Sequence, residues 1–269
     1  GKPYLGSTAA LDGIDPVKMM VGKKAKWIVR QIHARLKRHR IDFKLRAEEI
    51  TAYLEVHVEQ GPVIEDKGKR IAAVSEIAGN FRFQAIVKGE FGHSGAVPMK
   101  YRKDAGLAEA AFARALEDLG KSLNTAQDYD NLTEIRVSRV FINSKNQGNT
   151  TIPGEVHVGY DVRSIDGNKL LEFKKALPGV KSRIESEYTV KIELPEPAIE
   201  DPVKLTPSII EIEKRAILGI GLPEFVMPSG AGHDAKVLHK HGIPTGMLFV
   251  PSMGGHSHCP EEHTDLKDI

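Results

Sequence analysis

The order of apolar patterns between about Asn80 and Leu194 constrains this chain more than any other feature. Phe81–Lys88, Leu132–Ile142 and Val156–Arg163 read as strands, and Thr189–Leu194 as a shorter one. Asp104–Leu119 and Asn168–Tyr188 read as helices, the second interrupted at Pro178-Gly179. The order is β-α-β-β-α-β, the split arrangement of a ferredoxin-like domain, a two-layer unit able to fold by itself. Pro195-Glu196-Pro197 and Asp201-Pro202 then make a stiff connection, because proline biases the residue before it away from helix. We therefore place an inserted domain at 79–194, between a first segment at 1–78 and a last one at 195–269.

The flanking segments read as a layered α/β domain. Asp15-Pro16 has the form of a helix start, and Ala25, Ile28, Val29, Ile32 and Leu36 recur at helical spacing beyond it. Thr51–Val58 alternates, with Tyr53, Glu55, His57 and Glu59 on one side and Leu54, Val56 and Val58 on the other. After the inserted domain come a helix at Pro207–Leu218, a turn-rich stretch from Pro228 to Gly232, a helix from about Asp234 and an apolar strand at Gly246–Val250.

Hydrophobic residues make up 41% of 269, enough for real cores. Lys+Arg of 38 against Asp+Glu of 36 leaves a net charge of +2, so no global field draws the molecule to nucleic acid or to a membrane surface. The single cysteine, Cys259, excludes an intrachain disulfide framework and fits a reducing cytoplasm, which is the expected location. No stretch approaches the roughly 18 apolar residues of a membrane span.

Four places hold side chains suited to chemistry. His57 ends a strand beside Glu55 and Glu59, and an imidazole backed by carboxylate is how a metal ligand is oriented; a hydrogen-bonded histidine is the plain alternative. His256-Ser257-His258-Cys259-Pro260-Glu261-Glu262 follows an apolar strand, where sites collect in α/β domains, although a surface loop can look the same. His233 and Asp234 sit at an expected helix start, where capping alone accounts for them. Inside the inserted domain, Gly92–Gly95 and Asn149–Gly154 are polar turns, and Arg163 ends a strand. An arginine fork binds carboxylate, and His or Asn can donate to a developing oxyanion.

Five segments, in order along nearly the whole chain, resemble the N-carbamoyl-L-amino-acid hydrolase and allantoate amidohydrolase family, a branch of the aminoacylase and carboxypeptidase-G-like two-metal hydrolases. They are Leu54–Pro62; His93–Gly95 with Pro98-Met99 and Arg102–Ala105; Asn149–Gly154 with Asp161–Arg163; Ser229–Ala235; and Ser257–Glu262. The resemblance implies a metal-dependent hydrolase of linear amide or carbamoyl C–N bonds, with an N-carbamoyl-L-amino acid as first choice of substrate and allantoate next. It implies two divalent ions per complete site, zinc, manganese, cobalt or nickel, with His57 ligating one and His258 the other. Gln60, Asn149, Arg163 and Gly230 would face a small substrate carrying carboxylate and ureido groups, and His93 would act in catalysis. The inserted domain would serve as lid and as homodimer contact.

The family's Gly-Ser-His-x-Asp motif and Glu-Glu pair, which supply further ligands and the general base, have no counterpart before His57. Glu48-Glu49 lies too close to it. The chain is therefore expected to be a fragment that lacks a complete site by itself. A dimeric binding protein that keeps the lid and has given up the metals is an alternative. A nucleic-acid reading rests on the basic run Lys23–Arg46, but one amphipathic helix in a nearly neutral chain reads first as a solvated face, so no nucleic-acid partner is expected.

Overall fold

In the computed structural model, which describes residues 11, 46–144, 148–195 and 197–269, the first elements are β1 (Tyr53–Val58), α1 (Val63–Asp66), β2 (Ala72–Ile77), β3 (Gly79–Lys88), β4 (Gly92–His93), α2 (Ala105–Ser122) and α3 (Ala126–Asp130). Then follow β5 (Arg136–Ser144), β6 (Thr151–Ile152), β7 (Glu155–Ser164), α4 (Gly167–Tyr188), β8 (Lys191–Glu193), β9 (Ala198–Glu200), β10 (Val203–Lys204), α5 (Pro207–Gly219), β11 (Val226–Ser229), α6 (Asp234–Lys240) and β12 (Thr245–Val250). The fold is mixed α/β. One compact unit joins the stretch up to Ile77 with Val203–Ile269, and Ala78–Pro202 forms the other. The expected helix after Asp15-Pro16 and the basic run to Arg46 lie outside the described residues, Arg46 apart.

In the Ala78–Pro202 unit the sheet order is β5-β7-β3-β8, with β9 also on β3. β3 and β7 pair antiparallel over their whole length, from Gly79 opposite Ser164 to Lys88 opposite Glu155. Alternation puts Phe81, Phe83, Ala85 and Val87 on the face that meets Val156, Val158, Tyr160 and Val162, and α2 and α4 bury this face through Phe112, Leu116, Leu170 and Phe173. Asp104 caps α2 by accepting from the Gly106 and Leu107 amides. The expected break at Pro178-Gly179 does not occur. Leu170, Phe173, Leu177 and Ile184 stay on one buried stripe across Pro178, so burial outweighs the missing backbone donor. β4 and β6 form a separate two-stranded ribbon, with His93 opposite Thr151.

In the other unit β1 runs parallel to β12, from Tyr53 opposite Thr245 to Val58 opposite Val250. β12 lies antiparallel to β2, which also pairs with β11 and β10. β2 is not legible from alternation, because Ala72-Ala73-Val74 is buried without it, as in a strand covered on both faces. α5 packs on β12 and β2, and α6 on β12 and β1. Among the described residues no helix is long and apolar enough to cross a membrane.

Glu213 is the one acid that α5 carries into this packing. It lies 4% exposed above β12, where a Cβ on Gly246 would come within 2.4 Å of its Oε1. Burial pushes its carboxyl up to about 7, with the Met247 amide acting the other way. A folded-state value above the ordinary 4.5 means that the protonated acid's contribution to stability is fully present below 4.5 and is lost as pH rises through about 7. Relative to Glu213→Gln, the native chain should lose on the order of 3 kcal/mol between about pH 4.5 and pH 8, since each tenfold change in proton affinity is worth about 1.4 kcal/mol. Urea unfolding of both chains across that range measures it, and a stability difference independent of pH would show that Glu213 is not held protonated.

Candidate metal centre

β1 and β12 are parallel neighbours, so the loops leaving their carboxyl ends emerge side by side. This brings together segments almost two hundred residues apart. β1 turns its polar side inward: Glu55 and His57 are half-buried, whereas Leu54 is 63% and Val56 59% exposed. His57 Nδ1 lies 2.7 Å from the Val58 carbonyl oxygen, to which it donates. Its lone pair is then on Nε2, the arrangement that prepares a ligand.

His233, buried just before α6, stands edge-on to His57 with ring centroids 4.7 Å apart. Its Nε2 is 2.8 Å from Ser229 Oγ, and its Nδ1 is 3.9 Å from Glu55 Oε1. Glu55 Oε2 accepts from the Ala235 amide at 2.7 Å, which ties the acid to the start of α6. Burial raises the Glu55 carboxyl despite that bond, and burial with the nearby Glu55 and Asp234 pushes the Tyr53 phenol up to about 12. Glu55, His57 and His233 offer one ligand atom each within 4.8 Å of one another, and among the described residues no other group of three does so.

Glu59 does not join them. Its two oxygens accept from the Val63 and Ile64 amides, both at 2.8 Å, so it caps α1. Of the two carboxylates that alternation placed beside His57, only Glu55 belongs to the donor group.

A second cluster lies at the same loop ends. The Gln60 amide nitrogen donates to Ser257 Oγ at 3.0 Å and lies 3.4 Å from His258 Nε2, while its backbone N–H donates to Ser252 Oγ at 2.9 Å. The His258 backbone N–H donates to Glu262 at 2.8 Å. That bond and the Ser257 hydroxyl are the main causes holding the Glu262 carboxyl low, with the His258 and His57 rings adding to them. Gln60 and His258 have φ of 61° and 58°, a left-handed conformation that costs about 1–3 kcal/mol in a non-glycine residue and collects at functional sites. Gly230 lies in the turn from Ser229 to Ala231 that leads to His233.

The remaining candidates belong to the Ala78–Pro202 unit. His93 is exposed on the ribbon, and Asn149 lies in the adjoining turn, next to Thr150, whose carbonyl accepts from the Ser94 amide. Arg163 is the last residue but one of β7, donating through Nη2 at 2.8 Å and Nε at 3.1 Å to Asp161 Oδ2, which also accepts from Arg82 Nε at 3.2 Å. Glu55 and His233 were visible in the sequence, but only the β1–β12 pairing and the packing of α6 show that they meet at His57.

Over residues 18–269 the sequence matches the profile described as Peptidase family M20/M25/M40. The chain is 32% identical over 220 residues to a ureidoglycolate hydrolase of Arabidopsis thaliana, covering 81% of this chain and 44% of that protein. It is 30% identical over 223 residues to an N-carbamoyl-L-amino-acid amidohydrolase of Paenarthrobacter aurescens, covering 83% of this chain and 52% of the relative. The chain thus spans about half the length of these curated relatives. An amidase of the hydantoinase/carbamoylase family from Burkholderia multivorans shares the fold, with a TM-score of 0.81 at 24% identity over 100% of this chain and 63% of its own.

Proposed function

Because the chain belongs to peptidase family M20/M25/M40, we propose that it carries the substrate-facing part of a metal-dependent amidohydrolase that cleaves linear amide or carbamoyl C–N bonds. An N-carbamoyl-L-amino acid is the substrate we assign first, with allantoate-like ureido acids next. The observation that carries this reading is the convergence of Glu55, His57 and His233 at one loop mouth with Gln60 and His258. The donor chemistry fits a divalent ion: two imidazoles and a carboxylate suit zinc, manganese, cobalt or nickel, and His57 already has Nδ1 satisfied. In the complete site, two ions would be held, one by His57 and the other by His258. Bound there, they would supply an activated water and polarise the scissile carbonyl.

The chain's own groups would do the rest. Arg163 would receive the substrate carboxylate, Asn149 and His93 would donate to the carbonyl as charge develops on its oxygen, and Gln60 with Gly230 would line the opening. Hydrolysis of an N-carbamoyl-L-amino acid by the full-length polypeptide, abolished by a chelator and restored by one of these ions, is the expected result. Absence of chelator-sensitive hydrolysis of any carbamoyl or ureido acid would reject the reading.

We also assign the Ala78–Pro202 unit as lid and homodimer contact. Among the described residues β5 is an edge strand of its sheet, and Val140, Phe141 and Ile142 are all exposed on it, which leaves backbone groups and apolar surface for a second copy. Sedimentation should show a dimer that Ile142→Lys dissociates; a native chain that sediments only as a monomer at micromolar concentration would exclude this contact.

A further inference from the structure

His93 is fixed by more than the ribbon that carries it. Its Nδ1 accepts from two successive backbone amides, Gly95 at 3.1 Å and Ala96 at 3.2 Å. Two donors converging on one ring nitrogen require a lone pair there, so in the neutral ring the proton sits on Nε2. The turn from Ser94 to Val97 that presents these amides is in turn bridged by Arg102. After the 3-10 turn at Met99–Tyr101, its Nε donates to the Val97 carbonyl at 3.0 Å and its Nη2 to the Ser94 carbonyl at 2.5 Å. One guanidinium edge therefore closes both ends of the turn that defines the imidazole.

We propose that Arg102 is a positioning residue for His93: its fork fixes the Ser94–Val97 turn, and the turn fixes the ring as the Nε2–H tautomer, leaving that edge as a directed donor. The functional consequence rests on the reading that His93 donates to the substrate carbonyl, since a ring free to exchange tautomers would present an acceptor part of the time. Lysine cannot substitute, because one ammonium lacks the planar pair of donors that spans two carbonyls.

Nitrogen NMR of the histidine-labelled chain, with the His93 signals assigned through His93→Gln, tests the geometry. The native chain should show His93 as the Nε2–H tautomer, Arg102→Ala a mixture, and Arg102→Lys, the milder variant should alanine fail to fold, a partial change. In the full-length polypeptide, kcat for an N-carbamoyl amino acid should fall roughly ten- to a hundredfold in Arg102→Ala with KM unchanged, the scale of a small misplacement of a reacting group. A folded Arg102 variant with the native tautomer would overturn the inference. A changed tautomer with kcat intact would uphold Arg102 as the positioning residue and remove His93 from the proposed reaction.

Discussion

In the full-length polypeptide, Arg163→Lys should raise the KM for an N-carbamoyl amino acid roughly ten- to a hundredfold, with metal content unchanged. A charged hydrogen-bonded pair kept from water is worth about 1.5–3 kcal/mol, and about 1.4 kcal/mol is a factor of ten. Lysine keeps the charge but loses the two-pronged geometry that carboxylate needs. The structure adds a reason for the loss to be specific. Arg163 turns its Nε and Nη2 onto one oxygen of Asp161, and Arg82 reaches that oxygen from the neighbouring strand. Asp161 thus sets the side-chain direction of Arg163 on the sheet face opposite the helices, a direction that a flexible lysine would not keep. Steady-state kinetics with the acid and with an analogue bearing an amide in place of the carboxylate separate the possibilities. Equal weakening for both substrates, or an unchanged KM for the acid, would leave Arg163 as no more than the ion partner of Asp161.

What the sequence disclosed and what it withheld divide along physical lines. Local patterns carried over: alternation in Phe81–Lys88 and Val156–Arg163 gave β3 and β7, and the apolar spacing after Asp104 gave α2. His57 was legible because alternation along β1 placed it with Glu55 on one side, but the same alternation also offered Glu59. Only the tight turn through Gly61, where a Cβ would sit 2.9 Å from Glu59 Oε1, shows that this acid bends back to α1. His233 read as a helix-start residue because its approach to His57 depends on strand pairings between distant segments. The left-handed backbone at Gln60 and His258 left no trace in composition, since neither is Gly or Asn. The basic Lys23–Arg46 run, apart from Arg46, lies outside the described residues.

Metal titration of the chain, native beside His57→Ala, bears most directly on the centre itself. His57 is the side chain common to the three-donor group and to the surroundings of Glu262, and its Nε2 is the lone pair that the Val58 carbonyl leaves available. Outer partners of a ligand alone are worth about ten- to a hundredfold in affinity, so loss of the ligand should cost on the order of a hundredfold or more. His157→Ala is the control, because that imidazole sits on β7 and is held by Glu155 at 2.7 Å. Calorimetry with zinc or cobalt should show native-like binding for His157→Ala and its near-complete loss for His57→Ala in a chain that remains folded. Unchanged affinity in His57→Ala, or an equal loss in both variants, would contradict a metal centre built on His57.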